Sequence, residues 1–232
     1  MSALVLSPAE AEALLLSLKV ALVAVLAALP FAVGAALLLA RTEFPGKTLL
    51  DALVHLPLVL PPVVMGYLLL VALGTRAPLG AFLLEHFGIR FAFSWTGAAL
   101  AAAILTFPFQ VRAIRLALEA VDRGLGEAAA SLGAAPLDRF LTVTLPLAAP
   151  GLLAGAVTAF AASLGEFGAI ITFVSNIPGE TRTLPLAIYT AIQSPGGEAA
   201  AARLACLSIA LALLGLAAAE LGARRLKRLV GL

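Results

Sequence analysis

Charge is what this sequence has least of. Only 12% of its 232 residues are Asp, Glu, Lys or Arg, while 62% are hydrophobic; a soluble globular domain carries about a quarter charged and about half apolar residues. A water-soluble chain of this length needs polar side chains to cover its outside, so the deficit excludes that class and turns the outer surface towards lipid. The mean hydropathy of +1.09 agrees. Aromatic residues are also sparse, at 6%, which argues against an outer-membrane barrel with its aromatic girdles and alternating strands. A single cysteine, Cys206, cannot form an internal disulfide, and its place in an apolar run reads as a small buried hydrophobe. There are two histidines. His55 and His86 lie far apart, and no metal-ligand spacing or nucleophile–base pair is visible, so no catalytic residue and no metal site is expected. A lone His55 near a helix end reads as packed or interfacial rather than as a ligand. The net charge of +2 forms no basic face outside the last turns, as a nucleic-acid binder would require.

Ala, Gly and Leu are what the sequence has in abundance, a composition suited to helices packed closely through small side chains. Apolar stretches long enough to cross a bilayer fall at 14–40, 49–74, 94–118, 147–174 and 202–222, since a span needs about 20 residues. The first is preceded by Glu10 and Glu12 instead of a basic region, and its apolar run is too long for a cleaved signal peptide, so it is expected to stay as an anchor. The segment 183–194 is apolar but too short to cross and reads as a re-entrant or interfacial helix; six spans is the alternative count. The expected fold is an all-α, polytopic transmembrane bundle of about five spans, forming one transmembrane domain over 1–232.

Basic residues give the orientation. With five spans, one set of loops and the tail holds Arg41, Lys47, Arg112, Arg115, Arg123, Arg139, Arg224, Arg225, Lys227 and Arg228. The other set holds Lys19, Arg76, Arg90, Arg182 and Arg203. The richer set is expected in the cytoplasm, which places the N-terminus outside, the 75–93 loop in the periplasm and the C-terminus inside. Arg112 and Arg115 are expected to snorkel to the cytoplasmic headgroups.

Prolines interrupt the spans. Pro30, Pro57, Pro61, Pro62 and Pro108 each lack an N–H and clash with a preceding carbonyl. Freed backbone groups are tolerated in lipid only where protein or a water-filled cavity satisfies them. HLPLVLPPVVMG (55–66) therefore reads as a kinked, pathway-lining helix, with a plain packing kink as the alternative. Small and polar residues from Ser163 to Thr183 are the other pathway candidates. A tetrahedral dianion can be passed by backbone N–H groups and hydroxyls. The gate and pathway candidates are thus Pro61, Pro62, Ser163, Glu166 and Thr172. Glu166 is an acid inside an apolar span, which points to function. Because an acid repels an anion, it is assigned to gate packing or helix–helix hydrogen bonding, with a solvated interfacial position as the alternative. Arg182 and Asn176 are placed in an outer loop.

Between the third and fourth spans lies a cytoplasmic loop, 119–146, with its own pattern. Glu127-Ala128-Ala129 is followed by Gly133, then by Val143, Leu145 and Pro146. Residues 125–132 are expected to form a short helix whose alanines let another surface approach closely. Gly133 is suited to end it in the left-handed conformation, Pro136 opens a second helix with Asp138 in its first turn, and Pro146 restrains re-entry into the membrane.

That spacing resembles the EAA loop of importer permeases in the ATP-binding-cassette superfamily, with Val143 where Ile is usual. From about 14 to 222 the chain is similar to molybdate ABC-transporter permeases, notably over VRAIRLALEAVD (111–122), SLGEFGAIITFVSNIPGETRTLPLAIYT (163–190) and QSPGGEAAAARL (193–204). It departs from the family at Ala130, Ser131, Pro136 and Asp138, where a basic residue with Thr, or basic residues, are common. The resemblance implies a type I ABC-importer permease fold in the bacterial inner membrane. It implies Glu127, Ala128, Ala129, Gly133 and Pro146 as the ATPase-coupling residues. It also implies a permease homodimer, cytoplasmic ATP-binding-cassette ATPase subunits that bind ATP and Mg, and a periplasmic oxyanion-binding protein. No cofactor is expected in the chain itself, and no nucleic-acid partner. The implied cargo is molybdate, with tungstate or sulfate as alternatives. A secondary transporter would carry more spans and inverted repeats, and an intramembrane protease would need a histidine that Ser163 does not have.

Overall fold

Alanine periodicity in the first apolar stretch sets how closely the helices pack. A computed structural model describes residues 6–230. The helices are α1 (Pro8–Arg41), α2 (Lys47–Val59), α3 (Pro62–Leu73), α4 (Pro78–Phe87), α5 (Trp95–Ala120), α6 (Arg123–Ser131), α7 (Pro136–Arg139), α8 (Leu145–Leu164), α9 (Gly168–Val174), α10 (Leu184–Gln193) and α11 (Glu198–Val230). A π-helical turn, Phe140–Thr144, joins α7 to α8. No strand occurs among the described residues.

Ser7 starts α1 with a capping box: its N–H donates to Glu10 Oε2 at 2.7 Å, and its Oγ accepts from Glu10 N–H at 3.3 Å. Along α1, Ala13, Ser17, Ala21, Ala24, Ala28, Ala32 and Ala36 are buried at every third or fourth position, which makes one small-residue seam. The seam faces α5, the most buried of the long helices. The two run parallel: Val20 and Ala24 cluster with Ala98 and Ala102, and Leu39 clusters with Ile114 and Leu118. On the other side α8 runs antiparallel to α5 through Gly151, Gly155, Ala159 and Ser163. A Cβ at Gly151 would lie 2.2 Å from Ala117 Cβ, and one at Gly155 would lie 3.1 Å from Ala113 Cβ. Backbones this close leave no room for larger side chains, and the gain is van der Waals contact that lipid cannot supply.

Both ends of the bundle are tied. At the end carrying α6, Arg41 Nη2 donates to the Leu118 carbonyl at 2.8 Å and the Val121 carbonyl at 3.4 Å, so a cation caps the C-terminus of α5. At the opposite end Leu184 N–H donates to Ser17 Oγ at 2.6 Å. There the buried Glu10 also pairs with Arg203 at 2.6 Å, joining α1 to α10 and α11. Lys19 lies 3.5 Å from the centre of the Trp95 ring, a cation–π contact.

Four helices are long and apolar enough to span a membrane, or five with the bent pair α2–α3 counted as one. The first span begins at Pro8 rather than 14. The fourth begins at Pro136 and ends at Leu164, not at 174, because the chain breaks at Gly165–Phe167 and α9 is a separate helix. The segment 183–194 is the short helix α10. Only one of the expected proline interruptions breaks a helix: Pro30, Pro57 and Pro108 sit inside α1, α2 and α5. A single proline removes one hydrogen bond, which the surrounding turns tolerate. Pro61–Pro62 removes two and pushes Leu60 to ψ 138 and Pro61 to ψ 135, so α2 and α3 meet at 112°. That is a break, not a kink. Cys206 is exposed on α11, because α11 packs mainly against α8 and α10, with Arg203 and Leu204 reaching α1, and turns its remaining face outward. Arg115 is ion-paired within the protein. It is held by Asp51 at 3.1 Å and Glu119 at 2.8 Å. Among the tail cations, the side chains of Arg224, Lys227 and Arg228 lie outside the described residues.

Candidate coupling element and pathway

The segment after α5 is built to project. Asp122 opens α6, its Oδ1 accepting from Gly124 N–H at 2.9 Å. No residue of α6 is buried. The helix ends in a Schellman turn: Ala134 N–H donates to the Ala129 carbonyl at 3.1 Å and Gly133 N–H to the Ala130 carbonyl at 2.9 Å. Gly133 has φ +87 with open space around it, so conformation alone makes glycine the fitting residue here. Ala135 is extended and Pro136 starts α7, with Asp138 in its only turn. Glu127 and Ala128 are exposed and Ala129 is half-buried.

Pro146 explains the π turn. It has no N–H to give Thr142, and Leu145 N–H reaches back five residues to the Phe140 carbonyl. The result is one continuous helical rod from Pro136 to Leu164, so Pro146 sits within a helix rather than at a re-entry corner. The residues that sequence reasoning missed here are leucines. Leu125, Leu132, Leu137 and Leu141 are all exposed, Leu132 at 90%. Apolar side chains in the loop 119–146 were the available signal.

The pathway candidates divide into two groups. Pro62 and Thr172 come together where α3 crosses α9: a Cβ on Gly66 would lie 2.7 Å from the Ala169 carbonyl and 2.8 Å from Thr172 Cβ, and one on Gly168 would lie 2.9 Å from Pro62 Cβ. Pro61 is exposed beside this crossing. Glu166, half-buried in the α8–α9 break, accepts from Ala169 N–H with Oε1 at 2.8 Å. It caps α9 locally and bonds no second helix. Thr172 donates to its own Gly168 carbonyl at 2.8 Å. Ser163 is elsewhere, buried against α5 with its Oγ 3.4 Å from Thr106 Oγ1. Gln110, one turn further along α5, is fully buried with neither amide atom hydrogen-bonded; a polar residue in FPFQV was its sequence signal. Ser175 ends α9 at φ 66 and ψ −165, a region that is essentially glycine's, held by Thr181 Oγ1 donating to its carbonyl at 3.0 Å. Asn176 joins Arg182 Nε and Thr190 Oγ1, each at 2.8 Å. His55 and His86 stay apart, each with Nδ1 near the carbonyl four residues earlier. A cavity of about 500 Å³ between α1, α2 and α5 has only apolar walls, including Phe31, Pro57 and Phe107, and offers an anion nothing.

A model of the family described as binding-protein-dependent transport system inner membrane component matches residues 20–228. The chain belongs to that family. Among its relatives is the molybdenum transport system permease protein ModB of Escherichia coli K12, 61% identical over 95% of this chain and 96% of the relative. The protein of that name in Haemophilus influenzae is 53% identical over 96% of this chain and 97% of its own. A sulfate transport system permease protein, CysT, of Salmonella typhimurium is 39% identical over 84% of this chain and 70% of that one. Among solved structures, a bacterial alginate ABC transporter in complex with its pentasaccharide-bound periplasmic protein aligns with TM-score 0.75 at 19% identity, over 96% of this chain and 81% of that one. The MetNI methionine transporter in an inward-facing form aligns with TM-score 0.67 at 18% identity, over 95% and 99%. The fold is therefore that of ABC-importer permeases, and this permease is an inner-membrane protein of several spans. The resemblance read from the sequence holds.

Proposed function

We propose that this permease is the membrane-spanning subunit of an ATP-driven importer for molybdate. It works as a homodimer above two ATPase subunits that bind ATP and Mg, and it receives the oxyanion from a periplasmic binding protein. The observation that carries the reading is the 61% identity over 95% of the chain to a molybdenum transport permease. The projecting α6 with its Schellman turn supports ATPase docking, through Glu127, Ala128, Ala129 and Gly133. The end carrying α6 is assigned to the cytoplasm, because Arg41, Lys47, Arg112, Arg115, Arg123 and Arg139 belong to that end; the N-terminus then lies outside. The crossing of α3 and α9, with Pro61, Pro62, Glu166 and Thr172, is assigned to the gate. Glu166 serves there as the cap of α9 and Ser163 as a buried brace against α5.

Reconstituted with its ATPase and binding protein in vesicles, the permease should accumulate radiolabelled molybdate only when ATP is supplied. Accumulation without nucleotide would sink the reading. Its likeness to the sulfate permease supports sulfate as a second cargo, and competition by sulfate and tungstate decides between them. Impermeant labelling of single cysteines in a Cys206→Ser background tests the orientation; labelling of 119–146 in intact cells would reverse it.

A further inference from the structure

At the α6 end, α2 and α5 leave an open cavity of about 350 Å³, lined by Asp51, His55, Arg112, Arg115, Leu116 and Glu119. Helical repeat accounts for the grouping. Arg112, Arg115, Leu116 and Glu119 stand at i, i+3, i+4 and i+7 on α5, on a different face from the buried Val111, Ile114 and Leu118, and Asp51 and His55 stand at i and i+4 on α2.

Nearly all the charge in the cavity is already engaged. Arg115 donates from Nη1 to Asp51 at 3.1 Å and from Nε to Glu119 at 2.8 Å. His55 Nδ1 lies 2.9 Å from the Asp51 carbonyl oxygen and 3.3 Å from its carboxylate. The neighbouring acid Glu43 is taken by Lys47 at 2.7 Å. Arg112 is the exception: it makes no hydrogen bond or ion pair with any described residue.

We propose that Arg112 is an anion-binding group that takes a tetrahedral oxyanion in this cavity, either the transported ion on its way out or the phosphate of a lipid headgroup. A guanidinium presents parallel donors that match two oxygens of such an anion. The surroundings keep the hold weak. Asp51 and Glu119 outnumber Arg115 by one charge, and Arg112 brings the four to neutrality. A group on an exit route needs this balance, because an anion bound as tightly as at a fully cationic site would not leave. For the transported ion, the inference rests on the import function proposed above.

The test uses the full-length permease in phosphatidylcholine nanodiscs, with radiolabelled molybdate binding measured at equilibrium, and native mass spectrometry for retained phosphatidylglycerol. Arg112→Gln should weaken binding of one of these two by about tenfold, and Arg112→Lys by less, because the charge stays and the fork is lost. Glu119→Gln removes one of the opposing charges and should strengthen the same binding by about threefold, a change that a merely structural role does not give. Sensitivity of molybdate binding assigns the site to the cargo; sensitivity of phosphatidylglycerol alone assigns it to lipid. Indifference of both to Arg112→Gln overturns the proposal. Wild-type vesicles that import no oxyanion would overturn the import reading and leave this binding result standing.

Discussion

Leu132 gives the sharpest test of the coupling element. It ends α6 with 90% of its surface exposed, the highest exposure of any large apolar side chain among the described residues. A chain that leaves a leucine so exposed outside its spans gains nothing from it in folding. If the ATPase groove covers it, the gain appears only in the complex. Leu132→Ala removes three carbon groups, each contributing about 0.8 kcal/mol when buried, hence about 2 kcal/mol in all. At 1.4 kcal/mol per factor of ten, affinity should fall by roughly thirtyfold. Stability of the permease itself should move by less than about 0.5 kcal/mol, since few contacts are lost. Biolayer interferometry of the ATPase on nanodisc-embedded permease reads the first, and a thermal melt reads the second. Leu214→Ala, equally apolar and exposed on α11, is the control and should leave the affinity unchanged. A change of less than about threefold in Leu132→Ala would show that the docking face is not centred on the end of α6.

Three further outcomes are expected. Gly133→Val should abolish retention of the ATPase, because a β-branched residue is strained at φ +87, whereas Gly133→Asn, which tolerates that region, should retain it; pull-down from detergent extracts distinguishes them. Gly151→Ala should lower the melting temperature, the added Cβ meeting Ala117 Cβ at 2.2 Å at an overpacking cost of about 1–3 kcal/mol, while Gly34→Ala, with open space around it, should not. Glu166→Gln keeps an acceptor for Ala169 N–H and should import at half the wild-type rate or better, whereas Glu166→Leu leaves that donor bare and should hydrolyse ATP without import; equal uptake by both would refute the capping role.

How much of this was legible beforehand depended on whether the cause was local. The Schellman turn was legible because Gly133 and Pro136 act through their own backbones, and the span count followed from runs of apolar residues. Glu10 pairing with Arg203 across α1 and α11 was not legible, since 193 residues separate them. The prolines looked alike in sequence, yet Pro30 and Pro108 are absorbed by their helices and Pro61–Pro62 is not; the doublet was the distinguishing mark. The α8–α9 break was hidden because hydropathy averages over it. Its cause is tertiary: Gly66 and Gly168 let α3 and α9 cross at backbone distance, and Glu166 supplies the acceptor that the new helix start requires.

That last pairing connects the two regions the sequence reading treated separately. From Pro136 to Leu164 the helix is continuous, and at about 1.5 Å per residue its 29 residues reach across the whole bilayer. One end carries the turn proposed for coupling, and the other stops at Leu164, two residues before Glu166 and the α3–α9 crossing. Along its length the rod touches α5 through Gly151, Gly155 and Ala159, side chains too small to interlock. Gln110, buried on α5 beside it, holds no hydrogen bond, and Ser163 meets Thr106 Oγ1 across the seam at 3.4 Å, a long hydrogen bond. A helix seated on glycines, with this one long hydrogen bond across the seam, can tilt against α5 at little enthalpic cost, while bulky ridges or a hydrogen-bonded Gln110 would fix its register. In the proposed importer, displacement of α7 by the ATPase therefore travels along α8 with little loss and is delivered where the chain is already broken, at the cap of α9.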